Sequence, residues 1–303
     1  LVQQIKKIIS FGDSFAAGDE LLQDDHRDEI EKIINSTSDI IRHGPGGYFG
    51  KLSPGKKCKP EKFIELRKSI IENIEQQYDT PKQIRELEFS HTYASILGTT
   101  LNVPVINYAR GGNSPVGIYN NIMRSKVDLD KHTLVLIGST FLGRHTQMDT
   151  NNHRQGDIIE RHVYEYKTLL PRWQGKENND YLRYRELEVQ YGDDTYFRYI
   201  QYLALQRSLQ LYLSNSNIPH VFLDNSDHKN ISTSLFKLDE TKQSDIDYVL
   251  SELQDIYQCN NMKSSATAME QLNIPHSQYF GHFSRAVHKH YADTIKNYLG
   301  LTT

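Results

Sequence analysis

Short apolar runs closed by turn residues punctuate the chain. Lys6 to Phe11 ends at Gly12, and Val103 to Asn107 runs into Arg110–Gly111–Gly112. Thr133 to Ile137 ends at Gly138, and His220 to Leu223 ends at Asp224–Asn225. Runs of this length, rich in branched side chains and bounded by turn signals, predict buried strands. Helical spacing fills the intervals. It covers Phe89 to Leu97, then Tyr196 to Leu213, then Val287 to Leu299. In the second of these, Ile200, Leu203, Ala204 and Leu211 form the expected apolar stripe. Strand–helix alternation predicts an α/β fold with a parallel sheet.

Two segments break the alternation. Residues of about 22 to 86 are highly charged, with a turn at Gly44–Pro45–Gly46–Gly47 and a helical stretch near Glu61 to Gln77. Residues of about 144 to 195 are polar and rich in Tyr, Arg and Asn. Both are expected to be insertions over one face of the sheet, where substrate-shaping loops sit. No repeat and no domain boundary interrupts residues 1–303, so one domain is expected.

Composition narrows the function classes. Of 303 residues, 37% are hydrophobic and 24% charged, which suits a globular chain and excludes a disordered or fibrous one. No apolar run approaches the roughly 18 residues of a membrane-spanning helix, so no membrane partner is expected. The 35 Lys and Arg nearly balance the 38 Asp and Glu, for a net charge of -3. That balance argues against nucleic acid as a partner. Two cysteines, Cys58 and Cys259, exclude a disulfide scaffold and a Cys-rich zinc module. One long-range bridge and two buried thiols both remain open. The apolar run in Leu1 to Ser10 is too short for a signal peptide, which makes a soluble, cytoplasmic protein the expectation. The sequence is silent on oligomeric state.

Ligands of an open parallel sheet bind at the carboxyl ends of its strands. There the chain places Gly12–Asp13–Ser14, then Asn107 to Ser114, then Gly138–Ser139–Thr140. Gly281–His282–Phe283–Ser284 opens the last helical pattern. Ser14 on a sharp turn at a helix start could act as a nucleophile, with backbone N–H groups stabilising an oxyanion. Gly112 offers an unobstructed N–H, and His282 a general base. Ser14 as a simple helix cap is the competing reading. Asp13 reads as a local turn or cap residue. His276, His282, His288 and His290 lack metal-ligand spacing, so no metal is expected. His288 reads as a helix-packing residue. Tyr164, Tyr166, Tyr181, Tyr184 and Trp173 could stack on sugar rings, although scaffold packing is the simpler explanation.

These blocks, in this order, resemble the SGNH (GDSL-like) hydrolase family. Phe11–Gly12–Asp13–Ser14 resembles its first block, with Ser14 as nucleophile. Asn107, Ala109 and Gly112 match the second, with Gly112 as oxyanion glycine. Gly281–His282 resembles the last. The resemblance implies a three-layer α/β/α domain with a parallel, flavodoxin-like sheet. It also implies ester hydrolysis without a cofactor, on a small-molecule or carbohydrate ester such as an O-acetylated sugar.

Two positions depart from the family pattern. Thr140 stands where the third block supplies an oxyanion Asn, and Gly138-x-Thr140-x-x-x-Arg144 is similar to a variant of some phage-encoded members. Thr140 or Asn113 is then the expected third donor, and Arg144 a candidate clamp for an anionic group. The residues two and three before His282 are Phe280 and Tyr279 rather than Asp. A backbone carbonyl, the Tyr279 hydroxyl, Asp224 or Asp227 could orient His282 instead. A binding module with lost chemistry is the alternative reading, and an acyltransferase a third.

Overall fold

The computed structural model describes residues 5–18, 21–26, 68–69, 72–78, 80–111, 113–140, 145–148, 166–169, 195–223, 244, 247–248, 251–252, 256 and 283–301. Four strands form an all-parallel sheet: β1 (Lys7–Phe11), β2 (Val105–Asn107), β3 (Thr133–Gly138) and β6 (His220–Leu223), in the order β2-β1-β3-β6. Ile8 pairs with Val105 and Leu134, and Leu136 pairs with Val221. Every residue of β3 is buried, as expected of a central parallel strand covered on both faces. β2 starts two residues later than its apolar run. Pro104 has no N–H for the ladder, although its carbonyl accepts from Ile8 N at 2.9 Å.

The helices that frame the sheet among the described residues are α1 (Ser14–Ala17), α2 (Pro81–Ser90), α3 (Tyr93–Leu101), α4 (Pro115–Arg124), α5 (Thr195–Asn215) and α6 (Arg285–Tyr298). Strand side chains alternate, so the two faces of the sheet enter different cores. Ile8, Leu134, Leu136, Val221 and Leu223 pack with Tyr93, Leu97, Val287, Tyr291 and Ile295 of α3 and α6. Ile9, Val135, Ile137 and Phe222 pack with Ile118, Ile122, Tyr202, Leu209 and Leu213 of α4 and α5. The molecule is therefore an α/β fold, as the alternation predicts.

Three local expectations need correction. The helical pattern at Phe89 to Leu97 is divided between α2 and α3. Thr92 breaks it, because its side chain caps α3 by accepting from Ser95 N. Of the stripe expected on α5, Ile200 and Leu203 pack partly buried against the core, but the fully buried face lies elsewhere. Tyr202, Gln206, Leu209 and Leu213 are buried, whereas Ala204 is exposed and Leu211 is 59% exposed. The buried set sits about half a turn round the helix. Apolar residues occur on nearly every face of α5, and the buried stripe uses a Tyr and a Gln. The polar insertion at 144–195 contains an antiparallel pair, β4 (His145–Met148) with β5 (Tyr166–Leu169). Within the other insertion, residues 72–77 are helical, as expected. Cys58, Cys259 and the glycine turn at 44–47 lie outside the described residues.

Candidate functional site

The carboxyl ends of β1, β2 and β3 come together through backbone geometry that few residues permit. Gly12 follows β1 with φ +155, and a Cβ there would lie 2.5 Å from the Ala16 Cβ and 3.3 Å from the Gly138 carbonyl. Only glycine accommodates both demands. The chain then turns at Asp13, whose carbonyl accepts from Ala17 N at 2.9 Å. Ser14 is the first residue of α1. With four residues, α1 has little macrodipole, so anion stabilisation there would fall to individual N–H groups.

The loop after β2 is folded onto Gly12. The Asn107 side chain accepts from Ala109 N at 2.9 Å, forming an Asx turn. Tyr108 stacks on Phe11 at 5.4 Å. Arg110 N and Asn113 Nδ2 both donate to the Gly12 carbonyl, each at 3.2 Å. Asn113 Oδ1 accepts from Ser114 N at 3.1 Å. A side chain at Gly117 would run into that same Oδ1, so glycine admits Asn113 over the first turn of α4. Ser114 caps α4 by accepting from Gly117 N at 3.1 Å. Ser114–Pro115 is a helix start signal, a capping Ser followed by Pro at the first helical position, and it opens α4.

After β3, Ser139 N donates to the Leu223 carbonyl at 2.8 Å. The Thr140 hydroxyl lies 2.9 Å from Asp13 Oδ2 and 2.9 Å from the Asn113 carbonyl. Asp13 and Thr140 are both 0% exposed. The turn role expected of Asp13 is present in its carbonyl. Its carboxylate does something the sequence did not reveal, binding a hydroxyl 127 residues away.

The C-terminal block approaches from the α6 side. Phe283 is buried in the same cluster as Ala16, two residues after Ser14. Ser284 caps α6 by accepting from Val287 N at 3.3 Å. Arg285 donates to both carboxylate oxygens of Asp25 at 2.8 and 2.7 Å, joining α6 to the short 3-10 helix Leu21–His26. His288 is buried, and its Nδ1 accepts from Tyr93 N at 3.2 Å. It therefore satisfies an otherwise orphaned donor at the start of α3, the packing role expected of it.

Of the sequence-predicted site residues, Asn113 and Thr140 are thus brought to one point beside the loop that carries Ser14. The Ser14 side chain, Gly112, Arg144, Asp224, Asp227, Tyr279 and His282 lie outside the described residues. One Asn113 amide hydrogen is directed to Gly12, so donation to an oxyanion would have to use the second. Among the described residues, no group of three or more His, Cys, Asp or Glu is arranged to hold a metal ion. Among them, no helix is long and apolar enough to cross a membrane. No protein-family model matches the chain, and no curated protein matches it.

Proposed function

We propose that the protein is a serine ester hydrolase of the SGNH (GDSL-like) type, acting on a small-molecule or carbohydrate ester, an O-acetylated sugar being one candidate. The observation that carries the reading is the union of the first three blocks, far apart in sequence, at one end of the sheet. Gly12–Asp13, Arg110–Asn113 and Thr140 are joined there by direct hydrogen bonds. Phe283, next to His282, shares a core with Ala16, which supports a last block on the same face of the sheet as α1. The strand order and the helical cover on both faces support the three-layer, flavodoxin-like form of the α/β fold.

In this reading Ser14 Oγ attacks the acyl carbon as His282 takes its proton. The carbonyl oxygen becomes an oxyanion held by the Ser14 and Gly112 N–H groups. Collapse breaks the ester bond, and the alcohol leaves with the proton from His282. Water then attacks the acyl carbon, His282 again serving as base, and the acid departs from a restored Ser14. Asp224, Asp227 or Tyr279 orients His282, and Arg144 contacts substrate. No metal or organic cofactor enters these steps.

The test is turnover of p-nitrophenyl acetate together with labelling by a fluorophosphonate. Ser14→Ala is expected to abolish both, and survival of either would remove Ser14 as nucleophile. The engaged Thr140 hydroxyl favours a second reading, an SGNH-fold binding module for a glycan or protein partner. It would be supported by wild-type protein that neither turns over nor labels yet binds glycan equally well with Ser14→Ala.

A further inference from the structure

We propose that Thr140 is a positioning residue and not an oxyanion donor: its hydroxyl joins Asp13 to the Asn113 backbone and so sets the spacing of the nucleophile and oxyanion loops. The proposal rests on the hydrolase reading for its catalytic consequence, but its structural half stands without it. A threonine hydroxyl has one hydrogen to donate. Two acceptors, Asp13 Oδ2 and the Asn113 carbonyl, each lie 2.9 Å from it. The single hydrogen can tie both acceptors only as a shared, three-centre bond, and the equal distances fit that sharing. Asp13 is fully buried, where each hydrogen bond that a polar group keeps counts for more than at the surface.

The positions of these partners give the bond its consequence. Asp13 precedes Ser14, and Asn113 follows Gly112. Asn113 Nδ2 returns to the Gly12 carbonyl at 3.2 Å and closes the circuit. Thr140 therefore holds the neighbours of both backbone groups expected to face the oxyanion. A shift of either loop changes the distance between those groups, and misplacement by about 1 Å can cost ~100-fold in rate.

The experiment is a double-mutant cycle of Thr140→Val and Asp13→Asn, with Thr140→Ser as the conservative control. It reads melting temperature, and kcat and KM for p-nitrophenyl acetate. Thr140→Val is expected to lower the melting temperature by roughly 3–8 °C. It should lower kcat about 10- to 100-fold with KM nearly unchanged. Thr140→Ser should restore both, and in the Asp13→Asn background both effects should shrink by more than half. An unchanged melting temperature, with kcat falling by the same factor in both backgrounds, would overturn the proposal and return Thr140 to the oxyanion hole. If Thr140→Val does not fold, Thr140→Cys, a weak donor, takes its place in the cycle. If the wild type neither turns over nor labels, the hydrolase reading fails, while the melting-temperature half of the cycle still decides the tie.

Discussion

Among the described residues, two side-chain bonds at the carboxyl ends of β1, β2 and β3 reach across the sequence, one of them between fully buried groups, whereas the side-chain bonds at the amino ends of β3 and β6 are local. Thr140 reaches Asp13 over 127 positions, and Asn113 reaches Gly12 over 101. Before β3, Asp130 accepts from the Thr133 hydroxyl at 2.8 Å and from His132 N at 2.9 Å, all within one turn whose Asp130 is exposed and whose Thr133 is buried. Before β6, His220 Nδ1 meets the Ile218 carbonyl two residues away at 2.8 Å. Local bonds of the second kind need only a turn to form. A buried carboxylate met by a distant hydroxyl needs the whole sheet in place and sacrifices solvation to exist. Polar burial at the carboxyl end thus goes beyond what chain reversal requires, which is the pattern expected where loops must be held for chemistry.

The largest effect should come from Gly12→Val. Its φ and the closeness of Ala16 leave no room for a side chain. A stability loss of more than about 2 kcal/mol is expected by urea denaturation, with loss of the proposed esterase activity. A folded, fully active variant would show that this end tolerates movement and would break the comparison.

At the amino end of β6, burial lowers the His220 pKa, partly opposed by the bond to the Ile218 carbonyl. With Nδ1 donating to that carbonyl, Nε2 carries no proton, and it is buried without a hydrogen-bond partner among the described residues. The folded state therefore prefers the neutral ring. The stability tied to it is complete above the unfolded value of about 6.5 and is lost as pH falls through that value toward the lower folded one. The urea midpoint should accordingly drop between pH 7.5 and 5 more in the wild type than in His220→Gln. Equal drops would leave His220 without a role in acid sensitivity.

The smallest effect is expected at Asp130. Its carboxyl is held below the usual range chiefly by the Thr133 hydroxyl, with burial opposing and the His132 N–H assisting. Its contribution is present above about pH 3.9 and fades as pH falls through the lowered folded value. The side chain is exposed, so solvent screening limits Asp130→Ala to less than about 1 kcal/mol, measured at neutral pH. A loss as large as that of Gly12→Val would erase the distinction between the two ends.

Much of this architecture was legible in the sequence because it depends on local signals. β1, β3 and β6 are apolar runs stopped by Gly or Asp, and the fold honours them nearly to the residue. Thr80–Pro81–Lys82–Gln83 spells a capping box with Pro at the first turn, and it does open α2. The face of α5 was not legible, because Leu and Ile surround the helix and only tertiary packing selects Tyr202 and Leu213. At the site, the block order identified Gly12, Asn113 and Thr140 as neighbours-to-be. It could not show where the Thr140 hydroxyl points, since nothing local distinguishes a donor facing substrate from one facing Asp13.

The central claim is that His282 activates Ser14, and the rate of fluorophosphonate labelling tests it most directly. Peptide mapping of the wild type should find the adduct on Ser14, and His282→Ala should slow labelling at least ~100-fold. An adduct on another residue, or an undiminished rate in His282→Ala, would contradict the account.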